Sequence, residues 1–313
     1  MSRRRNSGRR RGRNKRPSLF ILCMLVIFVM FGVFGYAASL EPALPVDLEA
    51  GEVAVHFIDV GQGDSVLVQT GEGHVLIDGG DRHMGERVVQ YLYDAGVREL
   101  TYVIATHPHA DHIGGLIEVL HSFPVETLIM PPVAHTTRTF ERFLDAIEAH
   151  DIPLKAPVAG ESFSLGGGEF TIIAPNASGY QKLNDYSVSL RLVVGETSFI
   201  FTGDAEAESE MEMIQAGHVL SSDVLHLGHH GSSTSTTQAF FDAVDPSIAV
   251  ISLGRDNQYG HPHREVRERL SGIPVYRTDE DGHILLVTDG VQITVRRGNQ
   301  WLSWVPRLMQ LTG

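Results

Sequence analysis

An apolar run over residues 100–105 leads without a break into Thr106-His107-Pro108-His109-Ala110-Asp111-His112, and this junction limits what the chain can fold into. Four ligand-type side chains fall within six residues, just past a buried strand, where a loop can splay them into a cleft. Imidazole nitrogen and carboxylate oxygen are ordinary ligands of Zn(II) and also suit Mn(II). His107 and His109, two apart on extended backbone, can face one metal. Asp111 and His112, turning into the following helix, can face a second. The alternative is a polar loop that is histidine-rich by accident, and the strand–loop–helix context argues against it.

The rest of the chain repeats one grammar. Residues 53–58, 65–69 and 74–77 read as strands across Gly-rich turns. Val88, Leu92 and Ala95 recur at helical spacing, residues 113–120 read as the helix after the His-rich loop, and 138–149 as another. In the second half, strands are expected at 187–194, 198–201, 224–227 and 248–252. Helices are expected at 205–216, 237–243 and 264–270, and a hairpin across Asp289-Gly290 closes the body. Paired strands followed by strand–helix units imply an α/β fold with two packed sheets, helices outside and ligand-binding loops at the strand ends.

Charge is divided along the chain. Nine of the 25 basic residues, and none of the 38 acidic ones, lie in residues 1–40, so the remainder carries 16 basic against 38 acidic residues. A body that acidic disfavours nonspecific binding of polyanions, although bound divalent metals invert the field locally. Residues 1–17 read as a basic cytoplasmic segment. The uncharged apolar run over 19–38 is about the 20 residues that cross a bilayer, so 18–39 is expected to be a single transmembrane anchor, with the body outside the membrane. A cleaved signal peptide, ending near Gly35-Tyr36-Ala37, is the other reading. Residues 40–52 form a tether and 53–300 the globular domain. The sole cysteine, Cys23, sits inside the apolar run, which removes thiols from the body as ligands or nucleophiles.

The His-x-His-x-Asp-His pattern followed by Gly114-Gly115 resembles the signature of metallo-β-lactamase-like hydrolases. The likeness extends to FIDVGQGDS at 57–65, LIDGG at 76–80, FTGDAE at 201–206, LGHHGSS at 227–233 and YGHPH at 259–263. Together these are similar to the carboxy-terminal domain of ComEC-type competence proteins, over roughly residues 53–295. The resemblance implies an αββα sandwich with a metal site at one edge. Position by position, it implies that Asp204 bridges two metals and that His230 is the last histidine ligand. His229 is then a contact to the scissile phosphate or a brace, with the reverse assignment of the two histidines as the alternative. Asp78 becomes the aspartate that orders the ligand loop through hydrogen bonds. Many relatives carry one more histidine before the bridging aspartate. Here that stretch reads Leu183-Asn184-Asp185-Tyr186-Ser187, so the first metal would be held by His107, His109, Asp204 and water.

Weaker signals surround this set. Asp59 and Asp64 could line the cleft or merely form turns beside glycine. His261 and His263 precede a basic helix whose start could receive phosphate. His56, His74, His83, His121, His135, His150, His218, His226 and His283 lack motif support and read as structural or surface residues. The expected metal ligands are His107, His109, Asp111, His112, Asp204 and His230, with Asp111 and His229 catalytic. Asp78, Asp64, Asn184 and His261 are second-rank or substrate contacts. Up to two Zn(II) or Mn(II) ions per chain would lower the pKa of bound water toward about 7, giving a metal-bound hydroxide. The resemblance implies a phosphodiester substrate, with DNA as a candidate. A hydrolase of another ester (wall-polymer phosphoester, lactone or β-lactam) and a non-catalytic tethered binding module are the alternatives. The membrane is the one expected partner besides substrate; no protein partner is readable.

Overall fold

Val53, Val55 and Phe57 point into one apolar core while Ala54 points into another, which is the period-2 alternation of a strand. Val75 and Ile77 alternate with Leu76 in the same way, and Phe199 and Phe201 with Ile200. Strands apolar on both faces need cover on both sides. The computed structural model describes residues 46–298.

In chain order the first half contains β1 (Val53–Phe57), β2 (Val66–Gln69), β3 (His74–Ile77), α1 (Gly85–Asp94), β4 (Leu100–Ile104), α2 (Ala110–Ile113), α3 (Leu116–Ser122), β5 (Val125–Ile129), α4 (Arg138–Ala149) and β6 (Leu154–Lys155). The second half contains β7 (Ser162–Leu165), β8 (Gly168–Ala174), β9 (Ser189–Val194), β10 (Thr197–Phe201), α5 (Ala207–Gln215), β11 (Val224–His226), α6 (Gln238–Val244), β12 (Ile248–Ile251), α7 (Arg264–Arg269), β13 (Val275–Arg277), α8 (Thr278–Asp281), β14 (Ile284–Thr288) and β15 (Ile293–Arg297).

Two sheets result, ordered β15-β14-β1-β2-β3-β4-β5-β6 and β13-β12-β11-β10-β9-β8-β7. Between them lies a core that includes Phe57, Ile77, Ile104, Phe170, Leu190, Phe199 and Phe201. Helices α1, α3 and α4 cover the outer face of the first sheet, through Leu92, Leu120 and Phe143. Helices α5, α6 and α7 cover the second, through Met213, Phe240 and Val266. The expected αββα sandwich is therefore the architecture of the described residues.

The pairs β3–β4 and β4–β5 are parallel, as are β10–β11 and β11–β12. The loops that leave these strands carry the polar residues singled out above, in keeping with ligand sites at the carboxyl ends of parallel strands.

The structure corrects one expectation and adds strands the sequence reading leaves unassigned. The helix expected over 113–120 is two short helices, α2 and α3, parted at Gly114-Gly115. There the Gly115 N–H donates to the Gly80 carbonyl and the Gly79 N–H to the His112 carbonyl, so the helical ladder is diverted. A Cβ on Gly115 would lie 1.9 Å from the Gly79 oxygen, so only glycine permits this approach. The added strands are β5 to β8 and β13.

Val46 and Leu48, in the expected tether, pack against Ala54, Leu285 and Val287. The basic segment and the expected transmembrane anchor lie outside the described residues. Among the described residues no helix is long and apolar enough to cross a membrane.

Candidate metal centre

The loop after β4 delivers His107 and His109, and α2 delivers Asp111 and His112. Asp204 follows β10, and His229 and His230 follow β11. These residues meet at one edge of the sandwich, around the Asp204 carboxylate. Its Oδ1 lies 3.3 Å from His112 Nε2 and 3.7 Å from His230 Nε2. Its Oδ2 lies 3.7 Å from His107 Nε2 and 3.7 Å from His229 Nε2. His109 Nδ1 is 2.9 Å from His107 Nε2, and Asp111 Oδ2 is 3.4 Å from His230 Nε2. One carboxylate thus faces two groups of donors with its two oxygens, the arrangement expected of a bridge.

His112 Nε2, His230 Nε2 and Asp204 Oδ1 are buried and make no hydrogen bond. Leaving such atoms unpaired costs about 1–3 kcal/mol each, and a bound cation removes the cost. Two triads, His107 with His112 and Asp204, and Asp111 with His112 and His230, have ligand atoms within 4.8 Å of one another. The donor set, imidazole and carboxylate without sulfur, suits a divalent ion.

Each buried imidazole is oriented from behind. Asp78 is fully buried at the end of β3. Its Oδ1 accepts from the Thr106 N–H at 2.8 Å, and its Oδ2 takes the Thr106 hydroxyl at 2.7 Å and His112 Nδ1 at 2.8 Å. Nδ1 of His112 therefore carries a proton toward Asp78, and Nε2 is the nitrogen that would face a metal. His230 Nδ1 is held by the Ser252 carbonyl at 3.0 Å, with the Asp64 carboxylate beside it at 3.2 Å as a charge partner. The Ser187 hydroxyl is 3.3 Å from His107 Nδ1 and accepts from the Asp204 N–H. The stretch without an additional histidine thus braces the site with a hydroxyl.

Burial pushes His107 well below and His109 below the usual imidazole range. Against the same burial, contacts with Asp204 and with Asp78 or Asp64 hold His112 and His230 well above it. Burial would raise Asp204 as well, yet His112, His230 and His107 beside it keep its carboxyl well below the usual range. Protons shared among these groups and a dication compete for the same lone pairs.

His229 and His230 both have left-handed backbones, with φ of 51° and 55°. This is strain of about 1–3 kcal/mol per residue, which persists only where surroundings enforce it. The His229 N–H donates to the Gly203 carbonyl, and the His263 N–H to the Gly231 carbonyl. The buried carboxylate of Glu210 accepts from the N–H groups of Thr236 and Thr237. The strain separates the two histidines: His230 is buried in the cluster, whereas the His229 side chain is 25% exposed at its lip. His229 Nδ1 lies 3.1 Å from Thr234 Oγ1, 3.4 Å from Asn184 Nδ2 and 3.5 Å from Glu206 Oε1.

A cleft of about 360 Å³ opens over the cluster, lined by Asp111, Asp204, His229, His230, His261 and His109 together with Gln62, His135, Thr137 and Tyr259. Burial, with three histidines nearby, pushes His261 down to about 4. His135, read above as structural, lines this cleft with its ring 5.7 Å from that of His109. Its position past the end of β5, beside β4, is the signal that could have found it. Glu206 also escaped the sequence reading, although it lies in a quoted motif.

Other candidates do not converge. Asp59 pairs with Arg87 at 3.2 Å, away from the metal cleft. His263 is a latch, accepting from the Ser233 N–H and contacting the Tyr259 carbonyl. Helix α7 is six residues long, too short to offer phosphate a site of its own at its start.

The family model described as Metallo-beta-lactamase superfamily matches residues 58–255. ComE operon protein 3 of Bacillus subtilis (strain 168) is 32% identical over 283 residues, 84% of this chain and 35% of that protein. Competence protein ComA of Neisseria gonorrhoeae is 33% identical over 252 residues, covering 79% and 33%. The chain therefore spans about a third of the length of these curated relatives. Among solved structures, the metallo-beta-lactamase fold protein YhfI from Bacillus subtilis aligns with a TM-score of 0.48 at 13% identity, over 78% of this chain and 100% of that one.

Proposed function

The chain belongs to the metallo-beta-lactamase superfamily, and from that premise and the site geometry we propose that it is a metal-dependent hydrolase acting on phosphodiesters. His107, His109 and Asp204 would hold one dication, and Asp111, His112, His230 and Asp204 a second, each Zn(II) or Mn(II). Such an ion supplies a water of lowered pKa and positive charge against developing phosphoryl oxygens. Asp78 and the Ser252 carbonyl would keep the imidazoles of His112 and His230 in the tautomer that binds. Asp111, whose side chain is 33% exposed at the cleft, would be the carboxylate that takes a proton from water. His229 sits at the lip, held by Asn184 and Glu206, where it can contact a substrate oxygen.

The observation that carries the phosphodiester reading is the ring of polar groups around the cluster: His135, Thr137, His229, His261 and Gln62. Several donors suit the several anionic oxygens of a phosphoryl transition state, whereas an acyl centre develops one. The name of one relative, Competence protein ComA, agrees with a nucleic-acid substrate. The acidic body favours the second reading, hydrolysis of another ester, and nitrocefin tests it. Purified protein should contain up to two transition metals and cleave bis(p-nitrophenyl) phosphate much faster than nitrocefin, with both activities lost on chelation. Trace metal only, or faster nitrocefin turnover, would refute the proposal.

The division into a cytoplasmic segment (1–17), an anchor (18–39), a tether and a catalytic domain (53–300) outside the membrane belongs to the same proposal. It rests on nine basic residues ahead of one apolar run. External protease should abolish the diesterase activity of intact cells; protease-resistant activity would place the domain inside.

A further inference from the structure

We propose that Tyr259, backed by His261, is a stacking platform for a planar ring of the substrate, which selects phosphodiesters bearing a nucleobase beside the scissile bond. This rests on the phosphodiesterase reading and narrows its substrate class.

Tyr259 is 56% exposed. Single exposed apolar residues are ordinary, but this one lines the metal cleft and also the adjoining depression that Gln62 and Asp111 share with it. Its ring lies 5.5 Å from that of His261 at an interplanar angle of 25°, a near-parallel stack. The His261 ring lies 5.9 Å from that of His229, and His229 Nε2 lies 3.7 Å from Asp204. A substituent on a phosphoryl group seated over the cluster would therefore meet Tyr259 only two ring contacts away.

The platform is pinned. The Asn257 side chain accepts from the His261 N–H at 2.9 Å and donates to the carbonyls of His261 and Gly254. His263 Nε2 donates to the Tyr259 carbonyl at 3.2 Å, while its Nδ1 takes the Ser233 N–H. An exposed aromatic held this way loses little conformational freedom when a ring stacks on it. Beside it, Gln62 Oε1 accepts from the Gly254 N–H at 3.2 Å, which leaves the Gln62 amide N–H groups for the edge of a base. Stacking tolerates every base because each presents a π-face.

The test is binding, measured by fluorescence anisotropy on the full-length, metal-loaded chain. The probes are a fluorescein-labelled phosphorothioate tetrathymidylate, chosen to resist cleavage, and the same backbone without bases. Wild type should bind the base-bearing strand at least about fivefold more tightly. Tyr259→Ala, with unchanged metal content, should weaken that strand by about 5- to 150-fold, the range for loss of one base–aromatic stack, and remove the preference. Tyr259→Phe and Tyr259→Trp should keep it. Equal affinity of wild type for the two strands, or a Tyr259→Ala loss shared equally by both, would overturn the platform while leaving the diesterase reading intact. Base discrimination without turnover of any phosphodiester would keep the platform and sink the hydrolysis.

Discussion

Replacing Asp78 with asparagine separates the tuning of the site from its folding. Asp78 is fully buried, has a φ of 57° and meets Thr106 N, Thr106 Oγ1 and His112 Nδ1 within 2.8 Å. Alanine would strand the Thr106 N–H and His112 Nδ1, at about 1–3 kcal/mol each, and add about 1–2 kcal/mol for a left-handed non-glycine residue. The sum, about 3–8 kcal/mol, is comparable to the whole stability of a domain and would report only unfolding. Asparagine tolerates the left-handed backbone, keeps one oxygen for the Thr106 N–H, and lets the Thr106 hydroxyl rotate to accept. Its amide, however, presents N–H to His112 Nδ1, so that nitrogen must become the acceptor. The ring proton moves to Nε2, the atom 3.3 Å from Asp204, and a metal-binding lone pair is lost. Loss of such a supporting partner costs about 10- to 100-fold in metal affinity, or about 1.4–2.7 kcal/mol. Competition titration of Zn(II) against a chromogenic chelator measures this directly, with circular dichroism as the folding control. A folded Asp78→Asn protein with wild-type Zn(II) affinity would refute the idea that Asp78 sets the His112 tautomer.

Further outcomes follow from other parts of the structure. His230→Ala should lower metal content, whereas His229→Ala should keep metal and lose rate; the reverse pattern in elemental analysis and kinetics would exchange their roles. Burial pushes Glu210 up from 4.5 to about 7. The native state then holds the proton, and stability should fall by up to about 3 kcal/mol as pH rises from about 4.5 to about 7. Urea unfolding of Glu210→Gln across that window should lack this decrement, and a wild-type slope in the variant would count against it. Burial pushes His56 down from 6.5 to about 3, with Tyr91 3.0 Å from its Nδ1. Its contribution is present above pH 6.5 and is lost as pH falls toward about 3, so His56→Gln should unfold less steeply in acid when followed by fluorescence.

Much of the candidate site was legible because it is local. Strand β4 runs into His107, His109, Asp111 and His112 without interruption, and side-chain chemistry alone marks that run as candidate ligands. Strand alternation is equally local, so Phe199, Ile200 and Phe201 announce a strand with two covered faces. What the tertiary structure decided depends on residues far apart in sequence. Asp59 and Asp64 sit in one Gly-rich loop and read alike. Packing turns Asp64 onto His230, 166 positions away, and Asp59 onto Arg87. His229 and His230 are adjacent and chemically identical, yet two left-handed residues bury one and leave the other at the lip. His135 read as a structural or surface residue until parallel strands brought its loop to the edge that carries the YGHPH motif. An apparent helix splits at Gly114-Gly115 because Gly79 and Gly80 pass against Gly115, and Arg82 against Gly114. Sequence periodicity states which face of a segment seeks cover. Which loop provides the neighbour is set only when the sheets close and the carboxyl ends of distant strands meet.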